Sequence, residues 1–228
     1  MKKTKLLTSF LLLMIFSIFS IGMASAETTT YAEQQITESP AARASDFNNN
    51  NTVITEQKDD SVGVFAIPDE YYPGTSTPIR VGDVLVTNST SSKGLTGHAG
   101  IVTDLGGSVV SIGGYDLPLE KISISTWKSR NKNTKIMRYT NSSVASKAGA
   151  WAASYYTNYK SVVKYGLINT IGSYEKETYC SKIAWDAYYF GGGVSIDGHG
   201  PFWSGIYGPY HFLNEKGFSL AGSWGSNF

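Results

Sequence analysis

Thr178-Tyr179-Cys180-Ser181-Lys182-Ile183-Ala184-Trp185 carries the single cysteine of the chain, and the reading of this stretch decides the rest. Ile183, Ala184, Ala187 and Tyr188 stand three, four, seven and eight residues beyond Cys180, the spacing of one helical face. Gly191 to Gly193 end the pattern. The spacing predicts a helix over 179–190 with Cys180 in its first turn. Unpaired backbone N–H groups and the positive end of the helix dipole favour a thiolate there, and the same groups offer donors to an oxyanion. A free cysteine on an apolar helix face is also a common core residue. The helix alone leaves a nucleophile and a buried thiol both open.

The N-terminus bounds the compartment. Lys2, Lys3 and Lys5 precede an apolar run from Leu6 to about Met23, and Ala24-Ser25-Ala26 supplies small residues for cleavage. Residues 1–26 are expected to be a secretory signal peptide, of the short lysine-led bacterial kind, with an uncleaved anchor as the rival reading. No cysteine at the junction offers a lipid attachment point, and no later segment reads as a membrane span. Without the leader, 16 basic residues face 18 acidic ones, a formal charge of −2. That balance argues against nonspecific binding to nucleic acid or anionic lipid. A lone thiol in an exported chain has no partner for an internal disulfide, so it pairs between chains or is kept for its reactivity.

Residues 27–78 show no sustained period and read as a low-complexity tail or pro-segment without a fixed fold. The ordered domain is expected over 79–228. Val84 to Val86 form a short buried strand, and Ala99 to Thr103 with Val109 to Ile112 form a hairpin about Gly106-Gly107. Lys135 to Tyr139 add a strand, and Ser142 or Ser143 caps a helix running to about Thr157. Residues 158–176 read as loop, and a last apolar segment spans about 218–224. The fold class is α+β: a small, mostly antiparallel sheet packed against the Cys180 helix and one further helix.

Three histidines are present: His98, His199 and His211. His98 begins the strand Gly97-His98-Ala99-Gly100-Ile101-Val102, where glycines let another group approach the ring. Alternation places His98, Gly100 and Val102 on one face. A thiol hydrolase needs an imidazole to take and return the thiol proton, with an acceptor holding its other nitrogen. His98 as a turn histidine bonded to backbone is the structural alternative. His199 and His211 show no metal-ligand spacing, and no metal or cofactor is expected. Trp203, Tyr207, Tyr210 and Trp224 fill the core, wall an apolar site or stack on sugar rings.

Gly82-Asp83-Val84-Leu85, the His98 strand and Tyr179-Cys180-Ser181 some eighty residues later resemble the circularly permuted papain-like hydrolases of the NlpC superfamily, the YiiX/YebB group. The resemblance implies a permuted papain-like fold with Cys180 as nucleophile, His98 as general base and acid, and Tyr179 in the oxyanion or substrate pocket. Asp83 would end a turn at the strand start. Where the group often has a glutamate to orient the imidazole, this chain has Ser111, with Asp116 in the next loop as the alternative. Lys182 stands where the group usually has glutamate, and either favours the thiolate or points to solvent. The expected function is a secreted or cell-wall-associated cysteine hydrolase (a peptidase or amidase) that cuts an amide bond in peptidoglycan peptides. An acyl transferase or lipid amidase, with the aromatic segment shaping a lipid groove, is the second reading. A non-catalytic binding domain is the third.

Overall fold

The computed structural model describes residues 70–90 and 96–228. The leader and residues 27–69 of the expected tail lie outside the described residues. Eight strands are described: β1 (Val84–Thr87), β2 (His98–Val102), β3 (Ser108–Ile112), β4 (Leu119–Ser123), β5 (Thr134–Tyr139), β6 (Lys164–Tyr165), β7 (Glu177–Thr178) and β8 (Phe218–Trp224). Three α-helices accompany them: α1 (Ile124–Arg130), α2 (Ser142–Tyr159) and α3 (Cys180–Asp186). A π-helical turn, Ala187–Gly191, continues α3, and a 3-10 turn covers Pro209–Leu213.

Six strands form one antiparallel sheet in the order β4-β3-β2-β1-β5-β8. Strands β1, β2 and β3 are buried along nearly their whole length because both faces of the sheet are covered there, whereas the edge strands β4 and β8 are partly exposed. Val84, Val86, Ile101, Val110 and Ile112 pack with Ala148, Trp151, Ile183 and Ala184 of α2 and α3. Leu85, Val102, Val109 and Ile136 pack on the other face with Trp127 of α1 and with Tyr72 and Ile79. The α+β class stands, with a third helix and a larger sheet than the pattern suggested.

Several expectations are corrected. Residues 70–78 belong with the domain: Tyr72 is fully buried, and Tyr71 bridges Pro78. Helix α2 is capped one residue earlier than expected, by Asn141, whose Oδ1 accepts from the N–H groups of Ser143 and Val144, 3.1 Å each. Within 158–176, Lys164 and Tyr165 pair in parallel with Glu177 and Thr178, so the segment is not loop throughout.

Asp83 ties the first described segment to the sheet. Its carboxylate, 1% exposed, accepts from Tyr72 Oη at 2.7 Å and from Arg138 Nε and Nη2 at 2.8 and 2.6 Å. The same Arg138 nitrogen Nη2 donates to the Pro78 carbonyl at 2.7 Å. Asp83→Ala leaves the tyrosine hydroxyl and the guanidinium without their acceptor. The expected loss is about 3 kcal/mol of unfolding free energy, read by urea titration. A loss within about 0.5 kcal/mol, the level of an ordinary surface substitution, would show that this network does not hold the segment.

Candidate active site

The sheet opens at the start of β2. Strands β2 and β3 pair at Ile101↔Val110 and Val102↔Val109, and the pairing stops there. Ala99, beyond the last pair, keeps its backbone groups for other partners. Its carbonyl accepts from Ser111 Oγ at 2.7 Å, and its N–H faces the sulfur of Cys180. Helix α3 packs on the Ile101 face, whereas His98 and Ser111 project from the opposite one. The opening brings Cys180 and His98 to a common cleft of about 560 Å³.

Two glycines make room for the imidazole. A Cβ on Gly100 would lie 2.6 Å from Val109 and 2.7 Å from Trp127, so only glycine lets the indole lie this close to the strand. Trp127 then stacks on His98, ring centroids 5.2 Å apart. Gly97 has φ +65° and lies against Tyr210 and Pro209, where a Cβ would meet the tyrosine ring at 2.9 Å.

Ser111 fixes the state of the ring. Its hydroxyl proton goes to the Ala99 carbonyl, so toward His98 Nε2, 3.1 Å away, the oxygen can only accept. Nε2 therefore carries the imidazole proton, and Nδ1 keeps its lone pair. Burial lowers the His98 pKa from 6.5 to about 4, and the neutral serine adds no charge to oppose this. Burial also raises the Cys180 thiol above its ordinary value. The N–H groups of Ala99, Ser181 and Cys180 itself, with the Ser181 hydroxyl, act in the other direction and are outweighed. The pull of the helix start toward a thiolate is thus opposed by burial, which shifts both the thiol and the imidazole toward their neutral forms. No hydrogen bond joins the two among the described residues.

The remaining sequence candidates divide clearly. Tyr179 caps α3 and lines the cleft, and its hydroxyl accepts from the Tyr207 N–H at 3.1 Å. Burial pushes that phenol up to about 12, so it stays protonated at neutral pH. Asp116 is exposed on the loop after β3 at φ +62° and lines a neighbouring cleft rather than this one. It is not the group that holds His98. Lys182 neither points to solvent nor reaches the sulfur: it is fully buried and paired with Asp186.

His199 stacks on Trp203 and pairs with Asp197, and neither His199 nor His211 lines the cleft. Among the described residues no three His, Cys, Asp or Glu side chains converge as metal ligands. The aromatic segment fills core more than it walls the site. Tyr207 is buried, and Trp224 donates to the Asn131 carbonyl at 2.9 Å. Ile206, Gly208 and Pro209 supply the cleft wall from that segment.

Several cleft residues escaped the sequence reading: Glu120, Trp127, Arg130 and Asn131, and the apolar walls Leu117, Ile122, Leu167 and Ile206. Glu120 sits directly across from Ser111 in the β3–β4 register and pairs with Arg130 at 2.9 Å. Helix α1 carries Trp127 and Arg130. Its signal was the N-cap Ser123, whose Oγ accepts from the Thr126 N–H at 3.1 Å, followed by Ile124 and Trp127 at a spacing of three.

Comparison with known proteins adds a family. Residues 65–214 match the model of the family described as lipoprotein N-acylation protein LnsA-like. An uncharacterized 30.3 kDa protein of Bacillus thuringiensis is 30% identical over 126 residues, 50% of this chain and 46% of that one. The chain thus spans about half the length of the curated relative it matches. The crystal structure of metalloprotein yiiX from Escherichia coli O157:H7 aligns at a TM-score of 0.48 and 13% identity, over 65% of this chain and 98% of that one.

The half-buried imidazole has a measurable linkage. Between about 4 and 6.5 the unfolded chain holds a proton on His98 that the folded chain does not. Unfolding free energy therefore rises with pH through that window, by at most about 3 kcal/mol, and is lost again as pH falls toward 4. His98→Asn should flatten this part of a stability–pH curve measured by urea unfolding. An unchanged slope would assign the linkage to other groups.

Proposed function

The chain belongs to the lipoprotein N-acylation protein LnsA-like family, and from that premise we propose that it is a cysteine acyltransferase that loads an acyl group on Cys180 and passes it to an amine. The observation that carries the reading is the cleft itself. It holds a thiol beside an imidazole whose free nitrogen is a base, among Leu117, Ile122, Trp127, Leu167 and Ile206. An acyl chain suits such walls, whereas a charged peptide loses hydration there.

The sequence of steps follows from the tautomer. As the Cys180 sulfur attacks the acyl carbonyl, its proton passes to His98 Nδ1, and the S–C bond forms while the carbonyl becomes an oxyanion. Backbone N–H groups at the helix start and at Ala99 lie on the sulfur side and favour that oxyanion. Collapse expels the alcohol of an acyl ester, which takes the proton from Nδ1 and leaves a thioester. A neutral amine then attacks the thioester, Nδ1 takes its extra proton, and the thiolate leaves and is reprotonated as the amide departs. Glu120, the one acid lining the cleft among the described residues, offers an acceptor for the incoming amine. The family description points to a lipoprotein amine as that acceptor. The leader reading puts the reaction outside the cytoplasm.

A second reading keeps the thioester and replaces the amine by water, giving an amidase that acts on cell-wall peptides. The polar side of the cleft, with Glu120, Arg130 and Asn131, favours it. Incubation of the full chain with a long-chain p-nitrophenyl ester should add one acyl mass that neutral hydroxylamine removes. Adding a lipopeptide with a free α-amine should discharge it as the amide. Cys180→Ala should take up no acyl group, and His98→Ala should load roughly a hundredfold or more slowly. Equal loading of Cys180→Ala would end the proposal. Release of muropeptides from purified cell wall, with no amide formed, would decide for the amidase.

A further inference from the structure

Eight large hydrophobic side chains are exposed among the described residues, and their distribution is uneven. Five of them, Tyr115, Leu117, Val162, Ile168 and Ile206, belong to loops that rim two adjoining clefts. Leu117 and Ile206 line the Cys180 cleft, and Ile168, 92% exposed, follows its lining residue Leu167. Tyr115 lines the second cleft, of about 490 Å³, and Val162 stands between its lining residues Ser161 and Val163. Leu117 and Tyr165 line both, so the two openings adjoin. Tyr115 packs edge-on to Tyr165 with centroids 4.8 Å apart.

Charge is placed around these residues in a particular way. Lys160 and Lys164 line the second cleft, exposed, with Asp116 as its one acid. None of the three is in an ion pair among the described residues, and Lys160 Nζ sits 5.3 Å from the Tyr156 ring. The loop is anchored close to the reactive sulfur: Tyr165 pairs with Thr178, and the Gly166 N–H donates to the Thr178 carbonyl at 2.9 Å. Apolar tips beside lysines that are in no ion pair, at the mouth of an apolar cleft, are the composition of a surface that enters a lipid interface.

We propose that these rims form a membrane-docking face: Tyr115, Leu117, Val162, Ile168 and Ile206 enter the interface of an anionic bilayer while Lys160 and Lys164 meet its headgroup phosphates. The mouth of the Cys180 cleft then opens onto the lipid, and an acyl chain enters without crossing water. The proposal goes beyond the acyl-transfer reading and stands without it. The overall charge balance, which argued against nonspecific adsorption, does not bear on a local patch of this kind.

Hydrogen–deuterium exchange of the full chain tests it, with vesicles of phosphatidylglycerol and phosphatidylcholine against phosphatidylcholine alone. Exchange should slow in peptides covering 113–118, 160–168 and 204–208, and stay unchanged in 218–224. Cys180→Ala should show the same protection, which separates docking from acyl transfer. Val162→Asp with Ile168→Asp should abolish it, whereas Leu220→Asp, on β8, should leave it intact. Lys160→Gln with Lys164→Gln should weaken binding to the anionic vesicles about 30-fold. Because exchange is read peptide by peptide, attachment through the apolar run Leu6 to Met23 would leave the rims unprotected, and that result overturns the proposal. So would protection that the paired aspartates leave intact, or binding only to a protein partner.

Discussion

The backbone N–H and carbonyl of one residue, Ala99, tie together the two sides of the candidate site. In an unbroken ladder its N–H and carbonyl would both belong to the neighbouring strand. Here β2 and β3 part after Ile101↔Val110, and the freed groups take different partners. The carbonyl accepts the Ser111 proton, which forces Ser111 to accept from His98. The N–H turns to the Cys180 sulfur. A helix on one face of the sheet and a histidine on the other are thereby joined through backbone that neither residue contributes.

The electrostatics of the pair follow from where it sits. A helix start pulls a thiol toward its anion, with an effect of around 1 kcal/mol when exposed and about 2 kcal/mol when partly buried. Burial opposes it, and here burial is the larger influence on both partners: the thiol moves up and the imidazole down to about 4. Two ion pairs nearby do not reverse this, because Glu120 and Arg130 neutralise each other and Lys182 is held by Asp186. Burial therefore shifts both partners toward their neutral forms. In the proposed reaction, proton transfer would accompany bond formation instead of preceding it.

Legibility in the sequence tracked the range of each signal. The Cys180 helix and the His98 hairpin were visible because their periods run over a dozen residues. Ser111 came from the resemblance, as the residue standing where the group often has a glutamate, and in the folded sheet its hydroxyl lies 3.1 Å from His98 Nε2. Helix α1 was not visible, since seven residues are too few for a helical period to stand out. With it went Trp127, the ring that stacks on the imidazole, and Arg130. Glu120 depends on the β3–β4 register, which only the folded sheet reveals. Lys182 misled because a lysine near a helix start is ordinarily solvated, and its partner Asp186 lies one turn on, at a position that the apolar pattern passes over.

That buried pair raises a question of purpose. Removing a lysine and an aspartate from water costs several kcal/mol each, and well-packed apolar residues of the same volume are often as stable or more so. Burial accordingly pulls the Lys182 pKa down and pushes that of Asp186 up, each against its partner's attraction. An apolar pair would lack one thing: the Asp186 Oδ1 that accepts the Gly172 N–H at 2.7 Å. Next to that glycine, the Ile171 carbonyl accepts from Phe202 at 2.7 Å, so the segment is gripped from both sides. Further back the same segment carries Leu167 at the cleft wall and Ile168 at the rim. The ion pair thus fixes the mouth of the cleft to the helix that bears the sulfur, and its desolvation cost goes into placing those two parts relative to each other.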